Sequence, residues 1–220
     1  MYVIQVFRPS LGELEANAVA EVLRSGWIGL GPRTPGFEKP FATLCTVPYA
    51  VGVNSGTAAL DIAMKLLRIN HGDEVIVPTI TFVSTAHVVA YNLATPIFAD
   101  VVNLDPDDVQ RKLTPRTKAV IATHYSGRPV EFDLLEKRVG NIPVVEDCAH
   151  GTGATYKGRP VGRLGAIGCF SFHAVKNLTT GDGGMITTSD EGSFERARAL
   201  RRLGIYRGTC RCTPTWQTQM

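Results

Sequence analysis

The chain has 220 residues, 44% of them hydrophobic, enough for one sizeable domain with an appendage and a buried core. Its 23 basic and 20 acidic residues are mixed along the sequence to a net +3, and the nearest approach to a basic cluster, Arg196, Arg198, Arg201 and Arg202, reads as a solvated helix face, so nucleic acid has no footprint here. No stretch approaches the roughly 20 apolar residues of a membrane span, the N-terminus lacks the pattern of an export signal, and five cysteines in mostly apolar contexts suit reduced thiols in the cytoplasm.

In chain order, an N-terminal arm leads to a first helix, in which Leu11, Leu14, Val19, Val22 and Leu23 recur near helical spacing before Gly26 stops it. Trp27 to Gly36 is too rich in glycine and proline for regular structure and reads as a turn or as a substrate-facing loop. Gly29 and Gly31 have neither the spacing nor the preceding strand of a dinucleotide fingerprint. A helix over residues 37–45 precedes a short buried strand at residues 49–53. Strands and helices then alternate: helix 58–67, strand 74–77, helix 82–91, strand 95–99, a helix from about 107, strand 119–123, helix 132–139 and strand 143–145. Residues 169–172 end another strand and residues 185–188 form the next. Repeated βα units at this spacing predict an α/β fold, a mostly parallel central sheet with helices on both faces. Ligands in such sheets sit at the carboxyl ends of the strands.

Three stretches near those ends carry chemistry. Asn54-Ser55-Gly56-Thr57 stands between a strand and a helix, where backbone N–H groups and the helix dipole can meet an anion, although Asn and Ser there are also ordinary N-caps. Asp147, after the apolar Val144-Val145, is a carboxylate that burial penalises unless a cation or strong donor meets it; it reads either as a cap for the next turn or as the partner of a protonated ring nitrogen. His150 beside it is a structural histidine or a stacking and hydrogen-bonding neighbour. Lys176 lies between the strand ending Cys169-Phe170-Ser171-Phe172 and the glycine-rich Gly181-Asp182-Gly183-Gly184. Alone it reads as a surface charge. With the other two stretches it completes the requirements of pyridoxal phosphate: an amine for a Schiff base, an anion cradle and a carboxylate for a pyridinium.

From about Arg8 to Gly204 the chain resembles the DegT/DnrJ/EryC1/StrS sugar aminotransferases, fold-type I pyridoxal 5'-phosphate enzymes. Four motifs in order carry the resemblance: residues 54–60, Pro78-Thr79-Ile80-Thr81-Phe82, Glu146-Asp147-Cys148-Ala149-His150, and residues 171–177 followed by Gly181 to Gly184. It implies that Lys176 is the Schiff-base lysine, Asp147 the partner of the pyridine nitrogen, and Gly56, Thr57 and Ser171 the phosphate site. It further implies that Phe82 stacks on the cofactor ring and that His150 lies near the cofactor face. The implied reaction moves an amino group, often from glutamate, to a keto-sugar nucleotide, in a homodimer with shared sites. Relatives that dehydrate sugars carry histidine in place of the lysine, and a non-catalytic remnant is the third reading. No metal is implied, and Cys210-x-Cys212 lacks zinc-site spacing.

The expected organisation is residues 1–36 as arm, helix and loop, 37–204 as the cofactor-binding large domain, and 205–220 as an atypical tail. That tail reads as a truncation or a shifted reading frame, and the smaller C-terminal domain of family members is expected to be missing.

Overall fold

The computed structural model describes residues 7–100 and 103–205, so the expected tail beyond Ile205 and the first six residues of the arm lie outside the described residues. Nine strands follow in chain order: β1 (Tyr49–Val53), β2 (Glu74–Pro78), β3 (Thr95–Ala99), β4 (Thr117–Thr123), β5 (Val144–Asp147), β6 (Thr155–Tyr156), β7 (Arg159–Pro160), β8 (Ile167–Ser171) and β9 (Gly184–Thr188). Seven of them form one sheet in the order β1-β9-β8-β5-β4-β2-β3, and β6 pairs with β7 as a separate hairpin. β9 is antiparallel to both neighbours; the other pairs in the large sheet are parallel. The sheet is therefore mixed and mostly parallel.

The strands read as continuous apolar runs because helices cover both faces, and alternate residues go to opposite sides. Val75, Val77, Ile121, Val145, Cys169 and Ile186 share one core with α3 (Gly56–Leu66), α4 (Ser84–Tyr91) and α7 (Glu191–Leu200). On the other face Ile76, Val120, Ala122 and Val144 pack against α5 (Pro106–Lys112) and α6 (Phe132–Val139). Ala50, Phe170 and Met185 pack there against Phe41 and Ala42 of α2 (Arg33–Leu44). α1 (Glu13–Arg24) precedes them all.

Several boundaries differ from the expected ones. α2 starts at Arg33, inside the stretch expected to be irregular, because Pro35 falls in its first turn, where a backbone N–H has no intrahelical partner anyway. α4 starts at Ser84, which leaves Phe82 in the preceding turn. β5 runs through Glu146 and Asp147, so both carboxylates lie within the strand rather than after it. The β6–β7 hairpin was unexpected. Its turn residues Lys157 and Gly158 both have positive φ, as a two-residue hairpin loop of the primed type requires. α1 forms where its periodicity predicts, yet none of its residues is buried. Among the described residues no helix is long and apolar enough to cross a membrane.

Candidate active site

The first component is the junction of β1 and α3. The Ser55 hydroxyl accepts the Ala58 N–H at 3.0 Å, and the first helical bond runs from Ala59 N–H to the Ser55 carbonyl at 3.1 Å. Gly56 and Thr57, the first two helical residues, therefore keep N–H groups ahead of the intrahelical ladder, at the positive end of the dipole. Gly56 packs directly on Ser171 at the end of β8; a Cβ at position 56 would lie 2.8 Å from the Ser171 Cβ. Glycine is thus what lets the helix start approach this strand end. The result brings the backbone donors of the helix start and the Ser171 hydroxyl to one place.

The second component is Asp147, at the end of β5 and buried. The register sets it beside Thr123 on β4 and Cys169 on β8. Its Oδ2 accepts the Thr85 hydroxyl at 3.0 Å and the Thr123 hydroxyl at 3.4 Å, and its Oδ1 accepts the Ala149 N–H at 3.1 Å. Thr81 joins the same cluster, 2.8 Å from Thr85 and 3.2 Å from Thr123 between hydroxyl oxygens. Each of these donors is neutral. A buried carboxylate held this way can still accept a cationic N–H.

The third component is the loop from β8 to β9. Phe172 anchors its root by accepting the Thr179 hydroxyl at 2.9 Å and the Thr180 N–H at 3.1 Å, and Lys176 closes a turn through its N–H to the His173 carbonyl at 2.8 Å. The Asn177 amide ties the loop to the Thr152 carbonyl at 2.8 Å. Lys176 is half-buried; that burial lowers its amine pKa from 10.5, while the Asp147 charge pulls it back up. His150 is lowered from 6.5, first by burial and then by the Lys176 charge, with Asp147 opposing both. Lys176, Asp147 and His150 thus stand within one another's fields. Ser126 N–H donates to His150 Nδ1 at 3.2 Å, which places the neutral ring's proton on Nε2.

Phe82 is 69% exposed. Its link to the cluster is through the helix start it precedes, where its carbonyl accepts the N–H of Thr85 at 3.0 Å. Two hollows flank the cluster. A groove of about 920 Å³ opens beside the α3 start, lined by Asn54, Ala58, Phe172, Thr180 and Arg201 among others. A smaller one of about 480 Å³ lies between the N-terminal arm at Phe7–Leu11 and the loop at Val175–Thr179, and includes Lys176. A third cavity of about 380 Å³, between Trp27–Pro35 and the end of α7, contains none of the expected cofactor-binding residues.

The sequence reading missed Thr85 and Thr123. A threonine at a strand end or in a helix carries no signal of its own; the β4–β5 register brings Thr123, and the first turn of α4 brings Thr85, to one carboxylate. The donor set fits pyridoxal phosphate: N–H and hydroxyl donors for a phosphate, a buried carboxylate for a ring N–H, and an amine of lowered pKa for a carbonyl.

The sequence pattern of the DegT/DnrJ/EryC1/StrS aminotransferase family matches residues 9–218. The spore coat polysaccharide biosynthesis protein SpsC of Bacillus subtilis is 43% identical over 203 residues, which cover 90% of this chain and 52% of SpsC. The crystal structure of the aminotransferase TlmJ from Streptoalloteichus hindustanus superposes with a TM-score of 0.89 at 44% identity, covering 93% of this chain and 58% of that one. The PLP form of the putative sugar aminotransferase Spr1654 from Streptococcus pneumoniae gives 0.84 at 33% identity, covering 91% and 56%. The chain spans about half the length of the curated relatives it matches.

Proposed function

The chain belongs to the DegT/DnrJ/EryC1/StrS aminotransferase family, and on that premise we propose that the protein moves an amino group, with glutamate as donor, to a keto-sugar carried on a nucleotide. The product is an amino sugar for a polysaccharide or a secondary metabolite; the relative SpsC, named for spore coat polysaccharide biosynthesis, supports the first. The working form is a cytoplasmic homodimer.

The observation that carries this reading is a half-buried lysine in the field of a buried carboxylate whose hydrogen-bond donors among the described residues are neutral. Pyridoxal phosphate, when bound, supplies a carbonyl that condenses with amines and a ring that accepts electron density as a proton leaves the substrate carbon. Gly56 and Thr57 hold its phosphate through their N–H groups, and Ser171 adds a hydroxyl. Asp147, fixed by Thr85, Thr123 and the Ala149 N–H, keeps a proton on the ring nitrogen. Lys176 acts through its free amine, which burial makes more abundant at neutral pH, first as anchor and then as carrier of the substrate proton. Phe82 would cover a ring face of the bound cofactor, and His150 would offer its Nε2–H as a neutral donor. Lysine at position 176 favours amino transfer over dehydration.

The test is an absorption spectrum after adding pyridoxal phosphate to the native chain and to Lys176→Ala. The native chain is expected to give a visible band that borohydride bleaches, absent from the variant. A band of equal strength in both would remove Lys176 from its proposed role.

A further inference from the structure

Directly before Asp147, a second carboxylate lies wholly inside the protein and takes no part in the proposed reaction. Glu146 points to the opposite face of β5 and accepts three hydrogen bonds: His124 Nε2 at 2.9 Å, Gly162 N–H at 2.9 Å and Gly165 N–H at 2.8 Å. His124, equally buried, accepts the Val130 N–H at its Nδ1 at 3.2 Å. Its ring proton therefore sits on Nε2, aimed at Glu146. Both glycines are needed for this approach. A Cβ on Gly165 would come within 2.4 Å of the Val144 carbonyl oxygen, and one on Gly162 within 2.4 Å of the Phe170 ring. The Cys148 sulfur completes a His, Glu and Cys group whose ligand atoms lie within 4.8 Å of one another. A metal cage is the weaker account of that group: both carboxylate oxygens and both imidazole nitrogens already have protein partners, and burial together with the Glu146 charge pushes the Cys148 thiol pKa up.

From His124 the chain turns at once into residues Tyr125–Gly127, and this turn seats His150. Ser126 donates its N–H to His150 Nδ1, the Tyr125 ring meets the imidazole edge-on at 5.7 Å, and a Cβ on Gly127 would lie 3.1 Å from the His150 carbonyl oxygen. Ser126 has φ 53°, a left-handed conformation that a residue with a side chain keeps when its surroundings impose it. Two surroundings hold the turn: Tyr125 donates its N–H to Asn103 Oδ1 at 3.1 Å, and His124, two positions before Ser126, is clamped at both ring nitrogens and by its own N–H to the Asp147 carbonyl at 3.0 Å.

We propose that His124 and Glu146 are positioning residues: the buried pair locks the start of the Tyr125–Gly127 turn, and so fixes the seat of His150 and which of its nitrogens carries the proton. The consequence for the cofactor rests on the aminotransferase reading; the effect on His150 does not.

Nitrogen NMR of the imidazoles in the ligand-free chain, with His150 assigned through His150→Gln, carries the first test. The native chain is expected to show His150 protonated at Nε2 alone above its titration midpoint, and that midpoint below 6.5. Glu146→Gln should let the His150 proton exchange between both nitrogens and move the midpoint up toward 6.5. The charges facing His150, Lys176 and Asp147, are untouched by this change, so the shift reports the seat. Unchanged His150 signals in a folded variant overturn the proposal. Where Glu146→Gln lacks a cooperative thermal transition, His124→Gln replaces it: its amide N–H still reaches the carboxylate, while the clamp at Val130 is lost. The second test is a double-mutant cycle on pyridoxal phosphate affinity. Glu146→Gln should weaken binding about tenfold, equivalent to about 1.4 kcal/mol, and by much less in a His150→Gln background. Equal weakening in both backgrounds counts against action through His150. Absence of any Lys176-dependent band in the native chain overturns the cofactor reading and leaves the imidazole result to decide the positioning claim.

Discussion

A lysine is useful as a nucleophile and proton carrier only where its surroundings make the neutral amine accessible, and at Lys176 two influences oppose each other. Burial lowers the amine pKa from 10.5, and the Asp147 charge raises it again. Asp147→Asn removes only the second, so the titration midpoint of Lys176 should fall further, seen as faster reductive methylation of that lysine at neutral pH. His150 obeys the same sign: Asp147 raises its pKa, so the variant should also move His150 further below 6.5. A rise at either residue contradicts the arrangement. The variant should nevertheless hold pyridoxal phosphate more weakly, because the freed amine does not replace the carboxylate that faces the ring nitrogen. In the sequence Asp147 stands out because a carboxylate beside an apolar strand run is costly to bury without a partner, whereas Lys176 stands out only in company with Asp147 and the Asn54-Ser55-Gly56-Thr57 turn. Thr85 and Thr123 were not legible, since nothing in a lone threonine reveals which strand end it will face.

At the scale of elements, the loop carrying Lys176 depends on a helix far from it in sequence. Phe41 of α2 packs edge-on against Phe170 and Phe172 at centroid distances of 4.9 and 5.3 Å, and Phe172 is the residue that anchors the loop root. Phe41 is buried, so Phe41→Ala leaves a cavity that this tight cluster cannot close, at a cost of about 3–5 kcal/mol. Thermal unfolding should drop by roughly 6–20 °C for a chain of this size, with Phe41→Leu costing much less. An unchanged unfolding temperature would mean that the cluster does not support the sheet edge. The alternation of strands and helices was readable because each parallel strand is a short apolar run between helical periods. The direction of β9 was not, since a strand buried on both faces looks the same whichever way it runs. The start of α2 was hidden by prolines and glycines that the first helical turn tolerates.

For the molecule as a whole, α1 is the element whose sequence and structure pull apart. Its apolar residues recur at helical spacing, yet Leu14 is 83%, Val19 61% and Leu23 63% exposed, and the adjoining Trp27 and Ile28 are exposed too. An apolar surface of this kind on a folded chain marks a contact with another surface. The proposed homodimer supplies one: a second copy covering α1 would bury the face that the described residues leave open. Val19 and Leu23 are one turn apart on the same side of the helix, and Val19→Glu with Leu23→Lys replaces them by a favourably ordered ion pair that maintains helicity. Neither residue touches the Lys176 cluster or the sheet core, so the unfolding free energy should stay within about 0.5 kcal/mol of the native value. Sedimentation of the double variant should shift toward the monomer, while the native chain sediments as a larger species. Identical sedimentation of the two proteins would mean that α1 is not the contact. A monomeric native chain would likewise remove α1 as the contact between two copies.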